Sequence, residues 1–248
     1  AGNQYFDVAL YTGTGSNNAI TGLNFSPDFL WLKRRNGNNA HVLFDQIRGV
    51  TKALESSNNG AEKTNDPSIA SFDANGFTVS GTYNQTNASS QTYVGWAWDA
   101  GSSTVTNTDG SISSQVRVSQ TAGFSIVSFT GTGANGSIGH GLNAAPALII
   151  AKSRSASDNW FVYHSSIGAN GYIMLNSTSA ADTSNSTVWQ NVTPTANVFY
   201  ASTGGYNDSG VTLIAYCFAP VAGYSAFGSY VGNGSADGTF VHTGFKSK

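Results

Sequence analysis

Apolar and polar residues alternate along short stretches of this chain, with a period of two rather than the helical period of about 3.6 residues. In Phe6–Thr12 every second side chain from Phe6 to Leu10 is large and apolar, as in a strand that buries one face. The run Phe29–Leu32 is apolar at every position, which is typical of a strand between two layers. Helical periodicity is almost absent, so the pattern predicts an all-β chain.

A strand predicted over residues 93–98 has one bulky face and one small face. Its large side chains are Val94, Trp96 and Trp98, and they alternate with Gly95 and Ala97. Residues 213–218 show the same division, with Ile214, Tyr216 and Phe218 on the bulky face. A bulky face opposite a small one suits a strand between a packed core and a close neighbour.

The chain repeats itself. Three blocks of the first copy return in the same order: Phe6–Gly15 as Phe124–Gly133, Gly22–Pro27 as Gly141–Pro146, and Tyr93–Trp98 as Leu213–Phe218. A third copy opens at Tyr230–Gly234, in the position of the first turn. Self-similarity of this kind indicates repeated structural units. It also provides an internal control, because a folding requirement should recur in each copy whereas a catalytic residue need occur only once.

About six strands per copy indicate a small antiparallel sandwich for each. We predict one β-sandwich over residues 1–101, a linker with a hairpin over 102–123, and a second β-sandwich over 124–219. The hairpin turn is expected at Asn107–Gly110, because Asp-Gly between β-forming residues favours a tight turn. Residues 220–248 are predicted to form a C-terminal β-hairpin from the incomplete third repeat. It is too short to bury a core, so we expect it to dock on a neighbouring domain or subunit.

Charged residues make up 10% of the chain and the net charge is −2, against roughly 25% charged residues in a typical soluble domain. Nucleic-acid binding needs a basic surface, so no nucleic-acid partner is expected, and Lys33–Arg35 is interpreted as the solvated end of a strand. No apolar run reaches the roughly 18 residues of a membrane span, so no membrane insertion is expected. The single cysteine, Cys217, excludes an intrachain disulfide and is interpreted as a small buried side chain.

Sequence motifs that suggest a cofactor lack the neighbouring structural elements or the residue spacing that binding requires. Gly131–Gly136 matches the dinucleotide fingerprint GxGxxG, but a predicted strand rather than a helix follows it, so it is interpreted as a turn. The four histidines show no metal-ligand spacing, and none recurs in the other copy, so no zinc site is predicted and no cofactor is expected. Calcium stays open as an alternative, since loop carbonyls and scattered aspartates bind it without a motif.

No catalytic residues are predicted. The only glutamates, Glu55 and Glu62, are separated by a loop-like Asn-Gly stretch, whereas glycoside hydrolysis needs two rigidly held carboxylates about 5–10 Å apart. Serine is plentiful, but the sequence has no Gly-x-Ser-x-Gly elbow with a helix behind it. An enzyme that is active in one copy alone is the third hypothesis, after a structural protein and a sugar-binding module.

Aromatic rings are the remaining candidates for a binding site, because exposed rings of sugar-binding sandwiches stack on pyranose faces. In the second copy Trp31, Trp96 and Trp98 are replaced by other apolar residues, so they are interpreted as core residues. Three rings have no matching ring in the other copy and lie near loop-like segments: Trp160, Trp189 and Tyr206. These three are the candidate glycan-contacting residues, with a packing role as the alternative.

Four stretches resemble the repeated modules of virion proteins of marine bacteriophages and cyanophages: Tyr11–Gly15, Gly22–Lys33, Tyr93–Ile112 and Ala215–Tyr230. The likeness spans essentially the whole chain. Proteins of this kind are described as tail-fibre or concanavalin A-like structural proteins. The resemblance therefore implies two tandem jelly-roll or concanavalin A-like sandwiches and a place on the extracellular particle. It brings no catalytic motif with it.

These observations predict a non-enzymatic bacteriophage virion structural protein on the particle surface, as a tail fibre, head fibre or capsid decoration, with a role in host attachment. The expected partners are other virion proteins, further copies of the chain, with a trimer favoured, and a host surface glycan. Few charges are present to guard the sheet edges, and symmetric assembly would cover them. The alternative is a carbohydrate-binding module of a secreted or cell-surface protein.

Overall fold

The computed structural model describes residues 4–203 and 206–246, and over these residues the chain is all-β, as predicted. The strands of the first copy are β1 (Phe6–Thr12), β2 (Asn18–Thr21), β3 (Phe29–Arg34), β4 (Val42–Asp45), β5 (Lys52–Glu55), β6 (Lys63–Thr64), β7 (Ile69–Asp73), β8 (Gly76–Val79) and β9 (Thr92–Trp98). The later strands are β10 (Thr104–Asn107), β11 (Ser114–Ser119), β12 (Phe124–Thr130), β13 (Gly136–Gly139), β14 (Leu148–Ser153), β15 (Phe161–His164), β16 (Ile173–Met174), β17 (Val198–Ala201) and β18 (Thr212–Phe218). No helix in this part of the chain has the length and apolar character that a membrane crossing requires.

Each copy packs a large sheet against a small one. In the first copy the sheet β1-β9-β3-β4-β5-β6 faces β2-β8-β7, and in the second β10-β11-β12-β18-β14-β15-β16 faces β13-β17. Leu30, Phe44 and Phe77 are buried between the first pair of sheets, and Trp189 and Phe199 between the second pair. The order β1-β9-β3-β4-β5 recurs as β12-β18-β14-β15-β16, so the sequence repeat is also a repeat of strand order.

A buried asparagine holds the first turn in each copy. The side chain of Asn87 accepts a hydrogen bond from the Thr14 N–H at 3.1 Å and donates one to the Ser16 carbonyl at 2.5 Å. The corresponding bonds of Asn207 in the second copy are 3.3 and 2.6 Å long. A buried amide side chain is stable only when such partners are present, so the recurrence of this residue reflects a folding requirement.

Glycine recurs beside this asparagine because the backbone comes too close for a side chain. A Cβ on Gly13 would lie 2.3 Å from the Ala88 carbonyl oxygen, and one on Gly131 would lie 2.2 Å from that of Asp208. Residues 131–136 connect β12 to β13. The interpretation of the GxGxxG match as a turn is therefore confirmed.

The interpretation of Lys33–Arg35 as the solvated end of a strand holds for the arginines, since β3 ends at Arg34, which is partly exposed, and Arg35 is exposed. The lysine that recurs here is instead turned inwards in both copies. Lys152 is fully buried, and its Nζ donates to the Ser153 and Ala156 carbonyls at 2.6 and 3.3 Å. Lys33 makes the equivalent bonds at 2.9 and 2.8 Å. Burial lowers the pKa of Lys152 to about 8, although Asp158 opposes the shift. The turn needs a donor for its inward carbonyls, and the lysine supplies it.

Residues 102–123 form the predicted hairpin, but they are not a linker. β10 pairs with β11 across the turn that contains Asn107–Gly110, and β11 pairs with β12 over all of Ser114–Ser119. The hairpin therefore extends the large sheet of the second copy. The linker prediction is wrong because a hairpin beside an open edge gains backbone hydrogen bonds by joining that sheet.

The predicted C-terminal hairpin is not formed. Residues 222–246, here called the C-terminal arm, contain no strand, and an isolated bridge from Val221 to Ser225 closes their start. Tyr224 packs edge-on against Tyr5 and Phe227 lies near Phe218, whereas Tyr230, Val231, Phe240 and Val241 are exposed. A two-stranded hairpin without a third strand or a core is marginal. Residues 247–248 lie outside the described part of the chain.

The large sheets of the two copies pack against each other, face to face. Phe29 on β3 stacks on Tyr216 on β18, with ring centroids 4.3 Å apart. Leu43 and Leu54 of the first copy are buried in the same cluster as Ile150 of the second. Two sandwiches thus share a third apolar layer between them.

The bulky face of the closing strand points away from the core of its own copy. The small face lies inside, where a Cβ on Gly95 would be 2.9 Å from Leu32 and 3.1 Å from Phe77. On the other face Trp98 contacts Phe124 of the second copy, at 6.3 Å between ring centroids. The strand therefore lies between two packed layers, as the pattern indicates, with its small face against the core of its own copy and its bulky face towards the layer between the copies.

A buried ionic network ties the two copies together. The Arg48 guanidinium lies 2.5 Å from Asp45 and 3.2 Å from Glu62. The Tyr216 hydroxyl donates to Asp45 at 2.7 Å and accepts from Arg48 at 3.2 Å, and Arg154 donates to both oxygens of Glu62 at 2.9 and 3.0 Å. Burial alone would lower the pKa of Arg48, but Asp45, Tyr216 and Glu62 together raise it. The guanidinium therefore stays charged inside the interface.

Candidate functional site

The three predicted glycan-contacting rings are buried, so that prediction is wrong. Trp160 lies between the copies, where its indole N–H donates to the Glu55 carbonyl at 3.0 Å. Trp189 and Tyr206 lie in the core of the second copy, with ring centroids 5.3 Å apart. The polar residues around them in the sequence do form loops, but the rings themselves fill the space beneath those loops.

Three other indoles, which the repeat placed in the core, line an open recess on the first copy. Trp31 on β3 lies directly opposite Trp96 on β9, so the two side chains share the outer face of the sheet. Trp98 and His41 complete the recess, which has a volume of about 330 Å³. All four side chains are partly exposed. The core interpretation of these tryptophans holds in part, because Trp31 and Trp98 pack against the apolar layer between the copies, whereas all three rings stay partly exposed.

His41 is held in one tautomer by its neighbour. The Trp31 indole N–H donates to His41 Nδ1 at 2.8 Å, so the proton of a neutral imidazole is on Nε2. Burial, with a smaller contribution from Lys33, lowers the pKa of His41. The ring is therefore neutral at physiological pH, and it offers one N–H donor beside three indoles.

The ring planes give the recess a defined shape. The His41 and Trp96 planes are parallel within 3°, with centroids 6.4 Å apart, and the Trp31 plane is turned by 84° from that of His41. The residues that line the recess carry no charge. Ligand sites are typically concave, mainly apolar and equipped with a few fixed polar groups, and the recess has this composition.

The second copy has no equivalent recess. Tyr216 replaces Trp96, and Ile150 replaces Trp31 at the paired position, and both are buried between the copies. His41 is likewise unmatched, since Trp160 occupies its position in the repeat. Reasoning from retained apolar character missed these rings, because it does not show which of the two equivalent positions is covered in the folded chain.

The two glutamates considered for catalysis are both occupied by cationic partners. Glu62 is bound by Arg48 and Arg154 at the interface between the copies. Glu55 accepts a hydrogen bond from Lys63 at 2.5 Å and another from Asn58 at 2.6 Å. In these positions the two carboxylates support the structure of the interface and of its flanking loop.

The remaining reactive side chains are placed inside the fold. Cys217 is buried, as predicted, and burial raises the pKa of its thiol. His140 is buried and accepts a hydrogen bond from the Leu142 N–H at 3.2 Å. Among residues 4–203 and 206–246, no three His, Cys, Asp or Glu side chains converge in a way that would hold a metal ion.

Compared with known protein families, the whole chain, residues 1–248, matches the family described as Domain of unknown function (DUF7483). A search of curated proteins gave no match. A search of solved structures gave none either.

Proposed function

The chain belongs to the DUF7483 family of domains of unknown function, and we propose that it is a non-enzymatic structural protein on the surface of a bacteriophage particle. In this proposal it serves as a tail fibre, head fibre or capsid decoration and contributes to host attachment by binding a glycan in the aromatic recess. The placement on a particle is supported by the sequence resemblance to virion modules. The recess formed by Trp31, His41, Trp96 and Trp98 is the observation that carries the attachment role.

The chemistry of the recess suits an uncharged sugar ring. Indole faces stack on the C–H face of a pyranose, because its axial hydrogens carry partial positive charge and the ring face is electron-rich. The Nε2–H of His41 is a donor for a hydroxyl oxygen of the sugar. A charged sugar would have to give up its water without gaining a partner of opposite charge, so neutral hexoses are the expected class.

Titration of the intact chain with neutral hexose oligosaccharides tests this role. Trp96→Ala removes a stacking face and should weaken binding by about 10-fold or more, whereas Trp96→Tyr should retain most of it. Leu10→Ala alters the same sheet face outside the recess and is the matched control, with unchanged affinity expected. Isothermal titration calorimetry gives the dissociation constants. Absence of binding to any oligosaccharide, or an unchanged constant for Trp96→Ala, would contradict the proposal.

A carbohydrate-binding module of a secreted or cell-surface protein is the second candidate, because the same recess supports it. Antibodies raised against the chain distinguish the two. They should label the surface of intact particles in electron micrographs if the chain is a virion protein. Glycan binding by a chain that is absent from particles would favour the second candidate.

A further inference from the structure

The first copy leaves a seven-residue edge strand open. Among residues 4–203 and 206–246, β1 pairs with β9 and with no other strand. The other outermost strands of the two large sheets, β6, β10 and β16, have two, four and two residues. An edge strand presents backbone N–H and C=O groups that pair readily with another chain, and short strands reduce this tendency. β1 lacks that protection.

The hydrogen bonds around β1 show which groups face outwards. The Asp99 N–H donates to the Tyr5 carbonyl at 2.9 Å, and the Gly13 N–H donates to the Gln91 carbonyl at 2.8 Å. Odd-numbered residues therefore bond to β9, since bonded and non-bonded pairs alternate in an antiparallel ladder. The backbone groups directed to the open side belong to Phe6, Val8, Leu10 and Thr12.

Some of these outward groups have local partners at the ends of the strand. The Val8 N–H donates to the Asp7 carboxylate at 2.7 Å, and the Thr12 carbonyl accepts from the Asn18 side chain at 3.0 Å. Asp7 is the one charged residue in β1. Leu10, near the middle, is 63% exposed, so an apolar side chain stands beside open backbone.

In the second copy, the edge that is equivalent to the open side of β1 does pair with a strand. β12 is the counterpart of β1, and its corresponding side is covered by β11 over Ser114–Ser119. Most of β12 is buried, whereas every residue of β1 is at least partly exposed. Within residues 4–203 and 206–246 no strand occupies the same place beside β1.

We infer that the open side of β1 pairs with β1 of a second copy of this chain, so that two large sheets join into one across a two-fold axis. A self-complementary contact of this kind is the commonest way in which identical chains associate. The antiparallel register that pairs all seven residues places Leu10 opposite Val8 of the second copy, and Phe6 opposite Thr12. Asp7 then lies opposite Tyr11, so the two Asp7 carboxylates stay apart.

We assign the open edge of β1 to a second copy of the chain because this edge is self-complementary. Leu10 and Val8 form apolar cross-strand pairs on the outer face, and such pairs stabilise antiparallel strands. The C-terminal arm of the same chain reaches the start of β1, where Thr243 and Phe245 line a cavity with Phe6, but Val8 and Leu10 do not line that cavity. One strand-to-strand contact is a small interface, so the association should depend on concentration.

Sedimentation velocity of the intact chain over a range of concentrations tests the inference. The wild type should form a dimer, and Leu10→Lys should raise the dimer dissociation constant at least about 100-fold, because two lysines would guard the shared edge. The matched control is Val105→Lys on edge strand β10, where the side chain is 51% exposed. It should leave the dimer unchanged. A monomer at all concentrations, a closed trimer, or a loss caused by Val105→Lys rather than Leu10→Lys would overturn the inference.

A disulfide cross-link identifies the strand of the second copy that pairs with β1. Mixing Val8→Cys chains with Leu10→Cys chains under oxidising conditions should give a disulfide heterodimer, which peptide mass spectrometry identifies. Cys217 does not compete, because it is buried and its thiol pKa is raised. Failure to form the Val8–Leu10 link in a mixture that still dimerises would assign the interface to another surface. The glycan-binding role is independent, because neither residue lines the recess.

Discussion

The outer faces of the two large sheets are built from equivalent strands but meet different surroundings. Tyr216 and Ile150 of the second copy are buried, whereas Trp96 and Trp31 at the equivalent positions of the first copy are partly exposed. The face of the second copy is covered because residues 56–63 of the first copy reach across to it. There the Glu62 N–H donates to the Arg154 carbonyl at 2.7 Å. Both outer faces thus contribute to the interface between the copies, but part of the face of the first copy stays open.

Breaking the ionic network should uncover the outer face of the second copy, so that the two outer faces no longer differ in burial. Arg48→Ala leaves Asp45 buried without its cation and leaves Glu62 with Arg154 alone, which should lower the free energy of unfolding by about 3–5 kcal/mol. Urea denaturation followed by tryptophan fluorescence measures this. Arg34→Ala, at a partly exposed position of β3, is the control and should cost no more than about 1 kcal/mol. Equal costs for the two variants would show that the network does not hold the copies together.

The equivalent positions themselves should differ in energetic weight. Tyr216→Ala removes a buried ring and its hydrogen bonds and should cost about 3–4 kcal/mol. Trp96→Ala removes a partly exposed ring and should cost about 1 kcal/mol, since much of its surface already contacts water. Thermal unfolding followed by circular dichroism provides both values. A loss at Trp96 as large as that at Tyr216 would indicate that the recess is a packing feature rather than a site.

The first turn occurs in both copies, and a substitution of its glycine should have the same effect on stability in each. In this the turn differs from the two outer faces. Gly13→Ala and Gly131→Ala each force a Cβ against a backbone carbonyl and should each cost about 1–3 kcal/mol. Gly228→Ala in the C-terminal arm is the control, because a Cβ there meets nothing within 4 Å. Urea midpoints give the comparison. A marked difference between Gly13 and Gly131 would mean that the repeat no longer imposes the same constraint on both copies.

The smallest expected effect concerns the buried lysine of the second copy. Because burial lowers the pKa of Lys152 to about 8, the folded chain binds fewer protons there than the unfolded chain between pH 8 and about 10.5. Its contribution to stability should therefore increase as the pH rises through this window and be lost as the pH falls through 8. Urea unfolding at several pH values measures the slope. Lys152→Met should flatten it, and an unchanged slope in that variant would assign the effect to other groups.

Much of the fold follows from the sequence because each strand carries its own pattern. The alternation in Phe6–Thr12 and the turn at Gly131–Gly136 depend on local chemistry, and the structure confirms both. A hairpin follows Asn107 as predicted, but Asn107 pairs with Ser114, so residues 108–113 form the connection instead of a tight Asp-Gly turn. The neighbours of each face depend on contacts between distant parts of the chain. Local alternation holds no information about them, so it does not show which layer each face of β9 meets.

The candidate site was predicted poorly for a related reason. Trp160 occurs among polar residues in the sequence, and its burial depends on a loop of the first copy that reaches it only in the folded chain. Conversely, Trp96 looks like a core residue in its strand and is partly exposed in the structure. The mismatch of His41 with Trp160 between the copies does not separate the two cases, because Trp160 fails to recur and is nevertheless fully buried.

The buried network between the copies also determines what a fragment of the chain can do. A half that ends before β10 would leave Arg48 and Asp45 at an open surface without Tyr216, and the other half would expose Tyr216 beside Ile150. Neither half should be soluble alone, whereas the two produced together should reassemble. The repeat in the sequence is thus smaller than the unit that buries the apolar layer between the copies.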